Sequence, residues 1–157
     1  MTNESRLLRI VPFAPEDQIP VRALILEGLA GRWGGEADPT LNPDLDDIAS
    51  SYATGTTLLA RLDNALVGTG TVVPRQPHVE EVVRMSVAPA ARRRGIATAL
   101  LGKLVEAASA RGAHRIVCET STHWSSAVRL YLAFGFSITH YRDGDFGRDT
   151  HLALDLQ

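Results

Sequence analysis

The chain has 157 residues, of which 45% are hydrophobic and 22% charged, with 13 glycines and 8 prolines. These values are ordinary for a globular protein and exclude disordered, collagen-like and coiled-coil chains; the length predicts a single domain over residues 1–157. Sixteen basic and 18 acidic residues give a net charge of −2, which argues against a nucleic-acid-binding protein because such proteins usually carry net positive charge.

Cysteine usage and hydropathy indicate where the protein works. Cys118 is the single cysteine, so neither an internal disulfide nor a multi-cysteine zinc site can form. The first residues have no basic segment followed by a long apolar stretch, and no apolar run reaches the ~18 residues of a membrane span. We therefore expect a soluble, cytoplasmic protein that does not insert into membranes.

The first half of the chain predicts a strand, two helices and a hairpin. Residues 7–13 form the strand, and a helix with an apolar stripe begins near Pro20. A glycine-rich, mobile connection over 31–40 precedes a second helix, which starts at Asn42-Pro43. From Thr57 onward the hydrophobic period is two, which predicts a hairpin around Asp63-Asn64.

The second half alternates further strands with two helices. Residues 80–87 form a strand with one face made of Glu81, Val83, Met85 and Val87, and the strongest predicted helix follows and ends at Gly112. After a strand over 115–120, a helix capped by Ser125 or Ser126 runs to Gly135, and two last strands flank a polar loop over 142–149. This order predicts an α/β (α+β) fold with a mixed, mostly antiparallel twisted sheet of about six or seven strands and about four helices.

The most specific chemical signal lies between Val87 and Thr98. A predicted strand ends at Ala88-Pro89, and the segment AARRRGIAT opens the long helix. The pattern Arg92-x-x-Gly95-x-Ala97 places backbone N–H groups at a helix N-terminus, where they have no partner within the helix. Small residues let an anion approach closely, and the helix dipole and the arginines attract it. We predict a pyrophosphate site here rather than a merely solvated basic segment.

Two common phosphate-binding motifs are excluded. The nucleotide-kinase loop G-x-x-x-x-G-K-[ST] is absent, and the one lysine, Lys103, falls in the middle of the predicted helix. Gly68-x-Gly70 begins like a dinucleotide fingerprint, but position 73 is valine and no helix follows.

Two stretches resemble the signatures of the GNAT superfamily of N-acetyltransferases. VVRMSVAPAARRRGIATALL is similar to that family's acyl-coenzyme A motif, R/Q-x-x-G-x-G/A after a strand ending in V-x-P, and SSAVRLYLAFGF is similar to A-x-x-L-Y-x-x-x-G-F. Together with the residues between them, the two stretches cover about a third of the chain, residues 80–136. The order of strands and helices also resembles the family fold, which implies a splayed central strand pair.

The resemblance implies acetyl-coenzyme A as the co-substrate. The pantetheine arm would pair with strand backbone at Met85, Ser86 and Val87, and the thioester would enter the V between this strand and RIVCET. The pyrophosphate would bind where the helix begins. The residues that the resemblance assigns to it are Arg92, Arg93, Arg94, Gly95, Ile96, Ala97 and Thr98. Ala97 replaces a more usual glycine. Trp124 stands where many members have a cofactor-binding asparagine, so that contact is open.

Acetyl transfer to an amine requires a base and a proton donor. An alkylammonium group has a pKa near ~10.4 and must lose a proton before it attacks, whereas the departing thiolate gains from receiving one. By resemblance, Tyr131 is the proton donor, and Glu119 and Glu81 are candidate bases that act directly or through water. Glu119 ranks only slightly ahead of Glu81.

The remaining residues leave the acceptor undefined. The five histidines lack metal-ligand spacing, so we expect no metal site, although His123 lies near the predicted cleft. The turn Arg32-Trp33-Gly34-Gly35 is a candidate lid on the substrate side. The loops at 30–44 and 142–149 have acidic residues that favour a cationic acceptor: Glu36, Asp38, Asp44, Asp143, Asp145 and Asp149. We expect a primary amine of a small molecule or peptide. A non-catalytic acyl-coenzyme A sensing module is the alternative, and the choice between monomer and homodimer stays open.

Overall fold

The computed structural model describes residues 7–156, so both ends of the predicted domain, residues 1–6 and 157, lie outside the described residues. Seven strands form one sheet in the order β1-β2-β3-β4-β5-β7-β6, and every neighbouring pair is antiparallel except β4 and β5. The strands are β1 (Leu8–Pro12), β2 (Thr56–Leu62), β3 (Ala65–Gln76), β4 (Val79–Val87), β5 (Arg115–Ser121), β6 (Ser137–Gly144) and β7 (Gly147–Asp155). The helices are α1 (Gln18–Trp33), α2 (Ile48–Ser51), α3 (Ile96–Ala110) and α4 (Ser125–Phe134). The predicted fold class is confirmed.

Side chains of β2 alternate between two hydrophobic clusters, one on each face of the sheet. Leu58 and Ala60 belong to the cluster built with α3 and α4, whereas Leu59 belongs to the smaller cluster built with α1 and α2. Because successive residues of a strand point to opposite faces, the helices are divided between the two sides. The alternation of hydrophobic side chains that the sequence predicts for β2 therefore places its residues in the two clusters by turns.

Helix α3 lies close against the sheet because β3 has glycines beneath it. A β-carbon at Gly68 would lie 3.1 Å from Leu100 Cδ1, and one at Gly70 would collide with the Met85 sulfur and with Leu104 at 2.9 Å. The buried residues of α3 are Ile96, Leu100, Leu101, Leu104 and Ala108. Gly68-x-Gly70 is thus a packing feature that brings the start of α3 next to β4.

The predicted alternation along β4 is wrong beyond Val83. Thr69 pairs with Ser86 while Thr71 pairs with Val83, so β4 holds one residue more than β3 across this interval. Arg84 lies in the bulge with a φ of 55°. A bulge reverses which face the following side chains occupy, and Met85 and Val87 accordingly pack against the α3 cluster that contains Val82.

Three predicted boundaries also need correction. Helix α1 continues through Trp33 and ends at Gly34, whose φ is 74°, so the predicted connection over 31–40 begins inside a helix. Neither Ser125 nor Ser126 caps α4, because the capping residue is Trp124 and it makes no side-chain capping bond. Residues 142–149 belong mostly to β6 and β7, and Asp145 and Phe146 alone form the turn.

Within residues 7–156, no helix is both long and apolar enough to cross a membrane.

Candidate active site

The site lies where β4 and β5 diverge. Their parallel pairing covers just three residues of each strand, from Val79 with Arg115 to Glu81 with Val117. Beyond that point β4 continues along β3 to Val87, and β5 continues along β7 to Ser121. The divergence opens a cavity of about 1050 Å³, to which α1, α3 and α4 also contribute lining residues. The splayed central pair that the resemblance implies is present.

The predicted site residues gather around this cavity, with one exception. It is lined by Glu81, Met85, Ser86, Val87, Arg92, Arg93, Gly95, Ile96, Ala97, Thr98, Glu119 and Tyr131. Arg94 instead lines a separate cavity of about 250 Å³ with Leu8, Leu62 and Ile96. Of the three consecutive arginines, two therefore face the main cavity, and the Arg94 side chain lies outside it.

Backbone N–H groups at the start of α3 are free to bind an anion. The first helical hydrogen bond there runs from the Ala99 N–H to the Gly95 carbonyl at 3.0 Å, so the N–H groups of Ile96, Ala97 and Thr98 precede the helical ladder. Gly95 has a φ of 76°, and nothing lies within 4 Å of a β-carbon built on it. This combination gives an open helix N-terminus with a positive dipole end.

Two arginines cover carbonyl groups of β4. Arg32 donates from Nη2 to the Met85 carbonyl at 3.4 Å, and Arg92 donates from Nε to the Val87 carbonyl at 3.2 Å. Sequence reasoning placed Arg32 in a lid, and the structure places it in the cavity wall at the end of α1. The cavity therefore has a positive rim on the side where β4 meets α3.

Arg84 ties the β4 bulge to the segment before α2. Its guanidinium donates two hydrogen bonds to Asp44, at 2.7 and 3.0 Å, and the Tyr52 hydroxyl also donates to Asp44. Burial alone would raise the pKa of Asp44, but the hydrogen bonds from Arg84 and Tyr52 outweigh it and lower that pKa. Burial and the bond to Asp44 raise the pKa of Tyr52 to about 12. The motifs gave no signal for this network, because its members are far apart in sequence.

Tyr131 is held by the core while it lines the cavity. The residue is 6% exposed, and its ring packs edge-on against Phe136 at 5.3 Å between centroids. Burial raises the pKa of its hydroxyl well above the ordinary value; the nearby Cys118 thiol acts in the same direction and the Arg32 charge opposes it. Tyr131 therefore keeps its phenolic proton at neutral pH, and it does so at a position that lines the cavity.

Two carboxylates line the cavity and have different partners. Glu81 Oε1 accepts a hydrogen bond from Arg75 Nε at 2.6 Å, and its side chain is 20% exposed. Glu119 Oε2 lies 3.3 Å from His151 Nε2, and its side chain is 54% exposed. The His151 Nε2 is buried and makes no hydrogen bond of good geometry with the described residues. Glu119 is the more accessible of the two candidate bases.

Four aromatic rings meet at the edge of the cavity, and we call them the aromatic cluster: Trp33, His123, Trp124 and Phe146. Trp33 is in its centre, with ring centroids 5.0 Å from Trp124, 5.3 Å from His123 and 6.0 Å from Phe146. The Arg32 guanidinium lies 4.8 Å from the centre of the Trp124 ring. The Trp124 Nε1 is buried without a partner among the described residues.

Comparison with known proteins gives the family. A sequence model of the Acetyltransferase (GNAT) family matches residues 23–136. N-acetyltransferase 8F1 of Rattus norvegicus is 34% identical over an alignment of 127 residues, and the alignment covers 76% of this chain. The chain belongs to the acetyltransferase (GNAT) family. The resemblance inferred from its two motifs is thus confirmed, and the chain spans 58% of the length of the rat protein.

Solved structures share the fold of this GNAT family member. A GNAT acetyltransferase of Staphylococcus aureus Mu50 matches 96% of this chain and 100% of its own, with a TM-score of 0.85 at 19% identity. A GNAT acetyltransferase of Elizabethkingia anophelis, solved with acetyl-CoA bound, matches 95% of this chain and 98% of its own, with a TM-score of 0.76 at 21% identity. At these identities the likeness establishes the fold.

Proposed function

We propose that this protein is an acetyl-coenzyme A-dependent N-acetyltransferase that moves the acetyl group directly to a primary amine of a small molecule or peptide. One observation carries the proposal: a single cavity contains both the open N-terminus of α3 and the buried, protonated Tyr131. The first feature suits a pyrophosphate, and the second suits a departing thiolate. Residues 1–157 would form the one domain that performs this reaction.

The donor would lie along β4. Its pyrophosphate would accept hydrogen bonds from the backbone at Gly95, Ile96, Ala97 and Thr98, with Arg92 and Arg93 beside it. The pantetheine arm would run past Met85, Ser86 and Val87, where it would replace Arg32 as the partner of the Met85 carbonyl. The thioester would then lie between the diverging strands, near Tyr131.

The proposed reaction is a direct transfer. Glu119, or Glu81, takes a proton from the acceptor ammonium either directly or through water, and the neutral amine nitrogen attacks the thioester carbonyl carbon. A carbon–nitrogen bond forms, the carbon–sulfur bond breaks, and Tyr131 donates its proton to the leaving thiolate. A second amine proton is lost to solvent, and Tyr131 is reprotonated from solvent. In this proposal Tyr131 therefore supplies the acid catalysis.

Coenzyme A release against an amine panel tests the proposal. The panel contains amino acids, polyamines, aminoglycosides and peptide N-termini, and a thiol reagent measures the coenzyme A formed. The protein's own thiol will interfere little, because Cys118 is buried and its burial raises the thiol pKa to about 12. We expect release that depends on an acceptor amine.

The alternative is a non-catalytic module that senses acyl-coenzyme A. Calorimetric titration with acetyl-coenzyme A separates the two functions. Tight binding without coenzyme A release for any amine would indicate the sensing module. No binding at all would overturn both proposals.

A further inference from the structure

The aromatic cluster is assembled from three segments that are far apart in sequence. Trp33 ends α1, His123 and Trp124 lie between β5 and α4, and Phe146 is in the turn between β6 and β7. His123 and Trp124 also line the main cavity, so the cluster is continuous with it. A ligand that enters the cavity at this edge would contact the rings.

Two rings of the cluster are exposed to solvent. Trp33 is 47% exposed and Phe146 is 73% exposed, although both are large apolar side chains. Isolated exposed apolar residues are ordinary, but adjoining ones at the edge of a cavity are typical of a binding surface. Their tilted and edge-on arrangement leaves ring faces and edges available for a further aromatic ring.

The charges at this edge disfavour a second cation. The Arg32 guanidinium already lies over Trp124 and beside the Met85 carbonyl, and Arg92 and Arg93 add positive charge to the same cavity. None of the acidic residues that favoured a cationic acceptor is among the cavity-lining residues. Moreover, Asp38 accepts two hydrogen bonds from Thr40, and Asp44 is paired with Arg84. Of the two carboxylates that do line the cavity, Glu81 is paired with Arg75, and Glu119 is the proposed base for the reacting ammonium group. The second ammonium group of a polyamine would therefore find no free carboxylate among the cavity-lining residues that the structure describes.

We propose that the acceptor is a primary amine that carries an aromatic ring, with the ring bound against Trp33 and Phe146 and the amine directed into the cavity. This inference rests on the proposed acetyl transfer, but binding of the aromatic ring can be measured separately from catalysis. Burial of a ring and its contacts with other rings should favour an aromatic amine over a short aliphatic one by about 10-fold or more.

Binding can be measured with a local probe, because the chain has two tryptophans and both belong to the aromatic cluster. Indole N–H signals in NMR titrations of the full chain, saturated with coenzyme A, report on this surface. The ligands are 2-phenylethylamine, ethylamine and 1,4-diaminobutane. We expect 2-phenylethylamine to bind about 10-fold or more tightly than the other two.

Substitutions in the aromatic cluster show which rings cause the preference for 2-phenylethylamine. Phe146→Ala, which retains both indole probes, should reduce the preference for 2-phenylethylamine several-fold, and Trp33→Ala should do so with Trp124 as the probe. Tyr141→Ala is the matched control, because Tyr141 is an exposed aromatic residue of the same hairpin that packs against Arg148 outside the cluster. It should leave the preference unchanged. Equal affinities for the three amines, tightest binding of the diamine, or an equal loss in Tyr141→Ala would overturn the proposal.

Coenzyme A release separates this inference from the proposed function. If 2-phenylethylamine binds selectively but no amine of the panel yields coenzyme A, the aromatic site stands and acetyl transfer fails. If ethylamine is acetylated as efficiently as 2-phenylethylamine, acetyl transfer stands and the aromatic acceptor site is overturned.

Discussion

Tyr131 and Tyr52 are two tyrosines with raised pKa values and different surroundings. Burial is the main cause in both, but the Tyr52 hydroxyl donates to Asp44, whereas Tyr131 lines the cavity. The Tyr52 hydroxyl stabilises the fold, and the Tyr131 hydroxyl is available to a bound molecule. The same substitution at both positions therefore distinguishes a catalytic from a structural hydroxyl.

Tyr131→Phe should lower turnover by about 10²–10⁴-fold, because it removes the proton donor and retains the ring that packs on Phe136. Acetyl-coenzyme A affinity and melting temperature should change little. Tyr52→Phe should show the reverse pattern, with about 1 kcal/mol of stability lost and turnover nearly unchanged. Steady-state kinetics and thermal melting of both variants provide the measurement. Normal turnover in Tyr131→Phe would remove Tyr131 from the mechanism.

Glu119→Gln should reduce the rate more than Glu81→Gln. Glu81 is held by the Arg75 guanidinium at 2.6 Å, whereas Glu119 is more exposed and has a histidine as its partner. Activity should rise with pH because the acceptor must be deprotonated, and loss of the base should move this rise to higher pH. The pH–rate profiles of the two variants decide the assignment. Wild-type profiles in both would mean that neither glutamate is the base.

Helix α3 has a glycine of positive φ beside each end. Gly95 (φ 76°) precedes the helix and lines the cavity, whereas Gly112 (φ 93°) follows it, and neither has an atom within 4 Å of a built β-carbon. Both positions impose similar backbone strain on any other residue. They differ in whether they face the predicted pyrophosphate.

Gly95→Glu should abolish acetyl-coenzyme A binding, because it places a bulky negative side chain at the helix N-terminus that would hold the phosphates. Gly112→Glu adds the same charge and comparable strain at the far end of α3, and it should retain wild-type affinity. Calorimetric titration of both folded variants is the test. Equal affinity in Gly95→Glu and the wild type would refute the placement of the pyrophosphate.

The ion pair between Asp44 and Arg84 at the β4 bulge should make the free energy of unfolding depend on pH. The pKa of Asp44 is lowered in the folded protein, so its contribution is complete above the ordinary aspartate pKa of ~3.9 and is lost as the pH falls through the lowered value. Asp44→Asn should cost about 1–2 kcal/mol at neutral pH and reduce the loss of stability on acidification. Asp46→Asn removes an exposed ion pair in which Asp46 Oδ1 lies 3.7 Å from Arg22 Nη2. It should neither lower the stability at neutral pH nor change the loss of stability on acidification. Urea unfolding from pH 7 to pH 3 measures both effects.

Local sequence patterns predict the turn between β2 and β3, but they do not predict the β4 bulge or the ends of β6 and β7. The hairpin at Asp63-Asn64 was predictable because these residue types tolerate the positive φ values of 51° and 70° found there. The bulge was not, because Arg84 reaches a residue 40 positions earlier in the chain. The tip of β6 and β7 was mistaken for a loop because its residues are polar, although pairing such as Arg142 with Asp149 continues the strands.

Across the whole cavity, the lining residues from β4 and the start of α3 were predictable from the sequence, and the aromatic cluster at its edge was not. The residues of β4 and the first turn of α3 are contiguous in sequence, so one motif contains most of them. Arg32, Trp33 and Phe146 come from opposite ends of the chain and meet through folding alone. Their positions depend on long-range packing, which local periodicity does not encode.

The cavity also connects the two halves of the chain, so we predict that the two halves unfold together as one domain. Its walls come from α1, β4 and the start of α3 on one side and from β5 and α4 on the other, so a bound donor should stabilise both together. At 100 times its dissociation constant a ligand adds about 2.7 kcal/mol, which for a chain of this size raises the melting temperature by roughly 5–10 °C. Calorimetric melting should therefore show one transition that shifts as a whole with acetyl-coenzyme A, and Gly95→Glu should melt in one transition that does not shift. Two transitions, of which one ignores the ligand, would contradict the single domain, because the halves would then unfold independently.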